Sequence, residues 1–253
     1  MKPEIRIVES AAALAREAAT EFARLATESV RTKKLFTVVL SGGSTPKSLY
    51  ALLADEEPWR SELPWARMHF FWGDERNVHP DDPESNYRMA YEALLARVPV
   101  PAENIHRIKG EATDASESAR EYEQELRSSF KLTPNQIPRF DLVLLGLGTD
   151  GHTASLFPGT TALKERERLV VGNLVERLNA WRITLTLPVL NNAANVMFLV
   201  SGKEKANILH AVLEGAPAQA YPAQFIRPIE GSLLWLVDRE AASLLRRTNQ
   251  NPP

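Results

Sequence analysis

Asp141-Leu-Val-Leu-Leu-Gly146-Leu-Gly148-Thr-Asp150-Gly151-His152-Thr-Ala-Ser-Leu156-Phe157-Pro158-Gly159 reads as a buried strand that stops in a glycine-rich turn. The strand half, from Phe140 to Leu145, is apolar on both faces, as the central strands of a parallel sheet are. The turn half delivers a carboxylate and an imidazole two residues apart, on loop backbone with glycines around them. An imidazole in that setting can take a proton from water. Asp150 can orient the His152 ring, or act on a substrate itself. Backbone N–H groups at glycines such as Gly148 can meet an oxyanion. A helix-start histidine satisfied by local bonds would explain the same letters. His69, His79, His106 and His210 read as strand or surface residues.

The pattern on either side of this stretch alternates. Leu14, Ala18, Phe22 and Leu25 recur at spacings of three and four within residues 9–31, the mark of an amphipathic helix. Phe36–Leu40 and Met68–Trp72 read as strands, as do Arg182–Leu187, Asn195–Val200 and Leu233–Val237. Thr45 and Pro46 suit the cap and first position of a helix running to about Ala54. Residues 86–96 and 114–130, Lys203–Leu213 and Asp238–Arg246 read as further helices. Strand and helix in alternation predict an α/β fold: a doubly wound, mainly parallel sheet with helices on both faces, Rossmann-like, in one domain over residues 1–246. Residues 247–253 read as a flexible tail.

Composition narrows the chemistry. With 253 residues, 44% of them hydrophobic, the chain can bury a sizeable core. A net charge of −2 gives no field for steering nucleic acid or an acidic membrane, so an anionic ligand needs a local basic cluster. The absence of cysteine excludes disulfides, thiolate catalysis and zinc–thiolate sites. No apolar run approaches the roughly 20 residues of a membrane span, and the first residues lack a signal-peptide core. A cytoplasmic protein without nucleic-acid or membrane partners is expected, as a monomer or small homo-oligomer. No pair of metal-ligand spacing is present, and neither metal nor cofactor is expected.

Ligands in such sheets bind beyond the carboxyl ends of the strands. Three loops lie there. Ser41-Gly42-Gly43-Ser44-Thr45 before a helix start offers N–H groups, hydroxyls and a positive helix end to an anion, and Lys47 adds a charge. It has neither the P-loop spacing nor the dinucleotide fingerprint, and a tight turn that merely needs glycine fits it as well. Gly73-Asp74-Glu75-Arg76, with Asn86-Tyr87-Arg88 opening the next helix, is a charged cluster behind Phe70, Phe71 and Trp72. It reads either as a solvated salt-bridge network or as one wall of a cleft whose arginines suit phosphate. The third loop is the Asp150–His152 turn itself.

Six ordered segments resemble the 6-phosphogluconolactonase family: Leu40–Lys47, Phe71–Arg76 with Ser85–Arg88, Leu145–Pro158, Arg182–Asn192, Val200–Ala206 and Pro222–Pro228. The likeness spans roughly residues 35–240. It implies hydrolysis of a phosphorylated sugar δ-lactone, with His152 taking a proton from the attacking water and Asp150 beside it. It also implies a substrate- and phosphate-binding pool drawn from Gly42, Gly43, Ser44, Thr45, Lys47, Asp74, Arg76, Arg88, Gly148, Arg182 and Lys203. Arg227 is a further candidate for a wall of the site. The wider superfamily holds glucosamine-6-phosphate deaminases and isomerases, which share the two glycine loops. Those enzymes are expected to carry Asn and Glu where this chain has Leu156 and Phe157, which favours the lactonase. One segment departs from the lactonase pattern: Glu176–Trp181 stands where a proline-rich, basic run is common. The remaining readings are a deaminase-like enzyme and a non-catalytic sugar-phosphate sensor. The sensor class usually adds a basic DNA-binding segment, which is missing here.

Overall fold

A computed structural model of the chain describes residues 3–215 and 221–246; the expected tail over 247–253 lies outside them. The elements run β1 (Glu4–Val8), α1 (Ala11–Lys33), β2 (Phe36–Leu40), α2 (Ser44–Asp55), α3 (Trp59–Glu62), β3 (Met68–Trp72), β4 (Asp74–Arg76), α4 (Asn86–Ala93), β5 (Ile105–His106) and α5 (Ala115–Ser129). They continue as β6 (Leu142–Leu145), β7 (Val170–Val175), β8 (Ala180–Leu185), α6 (Leu187–Asn191), β9 (Asn195–Val200), α7 (Ala206–Glu214) and β10 (Ser232–Asp238). Among the described residues, no helix is long and apolar enough to cross a membrane.

Seven strands form one sheet in the order β1-β10-β9-β6-β2-β3-β5, every neighbouring pair parallel. The chain moves one way across it from β1 to β2, β3 and β5, then back from β6 to β9 and β10. Right-handed crossovers therefore put α1, α2 and α4 on one face and α5 and α7 on the other. The packing of α2 against both α1 and α4 agrees with that assignment. The direction of travel reverses between adjacent strands β2 and β6. Their carboxyl-end loops, Ser41–Thr45 and Gly146–His152, diverge at that point and open a crevice.

Local chemistry sets the elements. Ser10 caps α1 by accepting the Ala13 N–H, and the helix ends at Lys34 with φ 69°. Leu14, Ala18, Phe22 and Leu25 are its buried stripe, and Phe22 meets Phe36 edge to face with centroids 5.5 Å apart. All of β2 and β6 is buried, as central strands require. Asp141, just before β6, is buried and takes the N–H and hydroxyl of Thr37, both at 2.9 Å, tying the two strands together.

Two buried tyrosines fix the strand ends that carry the loops. The Tyr50 hydroxyl accepts the Ser41 N–H and donates to the Ser41 carbonyl, both at 2.9 Å. Tyr122 does the same for Trp72 at the end of β3, at 2.9 and 3.2 Å. Burial pushes both phenols above their ordinary range. Tyr50→Phe leaves a buried N–H and C=O without a partner, so it should lower unfolding stability by about 1–3 kcal/mol, read as an earlier urea midpoint at unchanged slope.

The structure adds strands β1, β4, β5 and β7 to the sequence reading and departs from it elsewhere. Helix α2 begins at Ser44 with Gly43 as its cap at φ 103°, so Thr45 and Pro46 lie inside its first turn. The segment around Arg182 is not part of the parallel sheet: β4, β8 and β7 form a separate antiparallel sheet of three strands. Strand β8 ends at Leu185, and Leu187 opens α6. The helix expected over Asp238–Arg246 is replaced by turns. The Asp238 carboxylate there accepts from the Ala241 N–H at 2.8 Å, the Gly202 N–H at 3.1 Å and the Ser201 hydroxyl, holding a tight corner.

Candidate active site

The crevice at the strand reversal is a cleft of about 420 Å³. Its floor comes from the loops after β2, β6 and β9. Its wall comes from the three-stranded sheet, through Asp74 and Arg76 on β4, Arg182 on β8 and Arg177 and Leu178 on the β7–β8 turn.

His152 and Asp150 meet in this cleft. His152 Nδ1 lies 2.5 Å from Asp150 Oδ1, and the same oxygen accepts the His152 backbone N–H at 3.2 Å. Burial works against the Asp150 carboxylate, but the hydrogen bond and charge of His152, with the charge of Arg177, outweigh it and hold the group below the ordinary carboxylate range. An ionised carboxylate can only accept, so Nδ1 carries the proton, and the neutral form of the ring has its lone pair on Nε2. The ring is closely held. Phe157 stacks on one side with centroids 4.1 Å apart at 23°. Gly148 closes in at the Nδ1 edge, where a Cβ would fall 2.0 Å from Nδ1 and 2.1 Å from the ring carbon beside it. The turn is closed by the Gly148 N–H donating to the His152 carbonyl at 2.8 Å and the Gly151 N–H to the Gly148 carbonyl at 2.9 Å.

At the β2 end, the N–H groups of Ser44 and Thr45 lie in the first turn of α2, where the helix offers them no carbonyl. The positive helix end and these donors face the cleft with Gly42 and Gly43. Lys205, at the start of α7, lines the same space.

Arg76 and Arg182 are register partners on β4 and β8, so two like charges sit side by side. Burial and the neighbouring Arg76 charge both push the Arg182 guanidinium below its ordinary pKa. Among the described residues neither forms an ion pair: Arg76 donates to the Glu84 carbonyl at 2.7 Å and Arg182 to the Trp181 carbonyl at 2.9 Å. Asp74 is buried, and its Oδ2 accepts from the Ser155 hydroxyl at 2.6 Å, joining the small sheet to the His152 loop. Glu75, beside it, is structural: it accepts the N–H groups of Asn86 and Tyr87 at 2.7 and 2.8 Å and the Ser85 hydroxyl at 3.1 Å, at the start of α4.

Of the residues nominated from sequence, Gly42, Gly43, Ser44, Thr45, Asp74, Arg76, Gly148, Asp150, His152 and Arg182 line one cleft. Lys47, Arg88, Lys203 and Arg227 do not. Lys47 is exposed on α2, and Arg88 is engaged with Glu92 and the Asp81 carbonyl. Lys203 is exposed, and Lys205, two residues on, takes the cleft position. Arg227 donates to the Gln224 carbonyl and borders a separate groove. The sequence reading did not nominate Arg177 or Lys205, and it named Asn86 only as the opening of a helix beside the charged cluster.

A cleft at the carboxyl ends of the strands with the open start of a helix, two arginines that pair with no carboxylate among the described residues and a His–Asp pair defines an α/β enzyme for a small anionic substrate. The sequence profile of the family described as "Glucosamine-6-phosphate isomerases/6-phosphogluconolactonase" matches residues 9–235. The chain belongs to that family. It is 48% identical over 212 residues to a 6-phosphogluconolactonase of Synechocystis sp., covering 83% of this chain and 85% of that protein. A solved 6-phosphogluconolactonase from Trypanosoma cruzi superposes with a TM-score of 0.85 at 34% identity, over 96% of this chain and 97% of that one. A monomeric glucosamine-6-phosphate deaminase superposes with a TM-score of 0.78 at 25% identity, over 95% of this chain and 99% of that one.

Proposed function

We propose that the chain hydrolyses 6-phosphoglucono-δ-lactone to 6-phosphogluconate. The observation that carries this reading is the His152–Asp150 pair, with no hydrogen bond at Nε2 among the described residues, in the same cleft as two arginines that hold no carboxylate. His152 Nε2 takes a proton from water as the water oxygen attacks the C1 carbonyl. The N–H groups of Gly148 and Gly151 already donate within the turn, so other loop N–H groups or a cation of the cleft meet the developing oxyanion. The intermediate collapses, the bond between C1 and the ring oxygen breaks, and that oxygen takes the proton back from the imidazolium. The phosphate is a remote handle that orients the ring, held by the start of α2, Lys205 and the arginine pair. The lactone is already activated, so one general base, worth about 10²–10⁴-fold, and positioning supply the needed acceleration.

Leu156 and Phe157 favour the lactonase over the deaminase. Leu156 is wholly buried and Phe157 stacks on His152, so no acid stands beside the imidazole at those positions. The deciding assay, with EDTA present, offers 6-phosphoglucono-δ-lactone, the unphosphorylated lactone and glucosamine 6-phosphate. Acceleration over buffer with the phosphorylated lactone alone is expected. Ammonia release from glucosamine 6-phosphate would transfer the reading to the deaminase.

Arg182→Gln removes one charge-assisted partner of the phosphate. It should raise KM for the phosphorylated lactone by roughly 10- to 100-fold, while the feeble activity on unphosphorylated lactone stays level. Steady-state kinetics on both substrates check this, and equal losses on the two would place Arg182 away from the phosphate.

A further inference from the structure

The turn that joins β7 to β8 spans Glu176–Leu178 and ends at Asn179 with φ 45°. It is the segment that departs from the family pattern, and it leans into the cleft. The Arg177 Nη2 donates to Asp150 Oδ2, across 27 residues of sequence. Its guanidinium carbon stands 5.1 Å from the centroid of the Phe157 ring, the ring that stacks on His152. The four side chains close a circuit. Oδ1 of Asp150 serves the imidazole, Oδ2 serves Arg177, and both the imidazole and the guanidinium contact the Phe157 ring.

We propose that Arg177 is a positioning residue for the hydrolysis: by holding Oδ2 it stops the Asp150 carboxylate from turning, and so keeps Oδ1 on His152 Nδ1 and the lone pair of Nε2 toward the substrate. The proposal rests on the lactonase reading above. Asp150 stands on a glycine-flanked turn, where its side chain has little else to fix it. Its recorded side-chain hydrogen bonds are those to His152 and Arg177. Arg177 in turn makes no other hydrogen bond among the described residues, so its polar contact is spent on the carboxylate rather than held ready for phosphate. The contact also acts through charge. A guanidinium beside the pair opposes a second positive charge on the imidazole and competes for the carboxylate that would stabilise it. The other charged groups facing the cleft are Asp74, Arg76 and Arg182 from the small sheet and Glu204 and Lys205 from the turn after β9.

The test compares Arg177→Gln, Arg177→Lys, Asp150→Asn and the Arg177→Gln/Asp150→Asn double variant in the full chain. Arg177→Gln should lower kcat by about 10-fold with KM within about twofold, as expected of a misaligned base rather than a lost contact. The midpoint of the acid limb of kcat/KM should move up by roughly half a unit to one unit, because a repelling charge is gone. The His152 ring, followed by NMR in the ligand-free protein, should show the same upward displacement. Arg177→Lys should restore the midpoint, since the charge returns, but only part of kcat, since the fork does not. In the Asp150→Asn background the Arg177 substitution should have no further effect on kcat. An unmoved pH profile and kcat in Arg177→Gln would overturn the proposal. So would an undiminished effect in the Asp150→Asn background accompanied by a raised KM, which would make Arg177 a substrate contact. Should the native protein fail to hydrolyse the lactone, the lactonase reading falls, and the NMR titration still decides whether Arg177 governs the Asp150–His152 pair.

Discussion

His152→Ala should lower kcat for lactone hydrolysis by about 10²–10⁴-fold, the range of a single general base, with KM close to native. The expectation follows from the placement of the ring. Nδ1 is committed to Asp150 at 2.5 Å, so Nε2 is the one basic atom the imidazole can offer. The other histidines stand elsewhere: His69 and His106 bond to each other at 3.1 Å, His79 is exposed beside Asp81, and His210 lies on α7. The imidazole is partly exposed and packs chiefly on Phe157, so its loss should cost little stability, and circular dichroism with a thermal melt checks that the fold survives. Rates must be taken as the excess over spontaneous opening of the lactone in the same buffer. An alanine variant within a few-fold of native would assign the proton transfer to another group and remove the role given to His152.

The second large effect is expected at a residue with no side chain. Gly148→Ala would put a methyl carbon 2.0 Å from His152 Nδ1, 2.1 Å from the ring carbon beside it and 2.8 Å from Asp150 Oδ1. The ring has little room to yield in place, because Phe157 is stacked on it at 4.1 Å and Asp150 holds Nδ1. The imidazole must rotate out or the turn must open. A displacement of about 1 Å at a reacting group costs on the order of 10²-fold in rate. The loss should fall on kcat, should abolish the effect of a further Asp150→Asn substitution, and should leave the unfolding midpoint nearly unchanged, because the methyl intrudes on a cleft and not on the core. A Gly148→Ala enzyme of native rate would mean that the ring position seen here is not the working one.

The large features of the fold were legible because their physics is local. Strands β2 and β6 are apolar on both faces, and α1 carries its stripe at spacings of three and four. The three site loops follow strands β2, β3 and β6, where a parallel sheet puts its ligands, so most nominated residues came together in one cleft. What stayed hidden depends on pairing at a distance. Strands β4 and β5 are three and two residues long and exist only because β8 and β3 receive them. Strand β8 carries the alternation of any strand, and nothing in its letters says which sheet it joins. Arg177 is one more cation on a surface turn until the hairpin carries it to Asp150. The choice between Lys203 and Lys205 rests on a single turn of 3-10 helix between Gly202 and α7. The last segment misled because Ala241 and Ala242 suit a helix, while the Asp238 carboxylate takes the Ala241 N–H for a corner instead.

The antiparallel sheet β4-β8-β7 contributes Arg76, Arg182 and the Arg177 turn, whereas the imidazole and the α2 N-terminus belong to the parallel sheet. The two layers meet at the cleft through polar joints that include Ser155 to Asp74, the Ser155 N–H to Thr184, Asn173 to the Ser155 carbonyl and Arg177 to Asp150. Substrate preference and proton transfer are therefore not inherited separately. Lengthening, shortening or recharging the β7–β8 hairpin alters the substrate wall and, through Arg177, the carboxylate beside the base in one step.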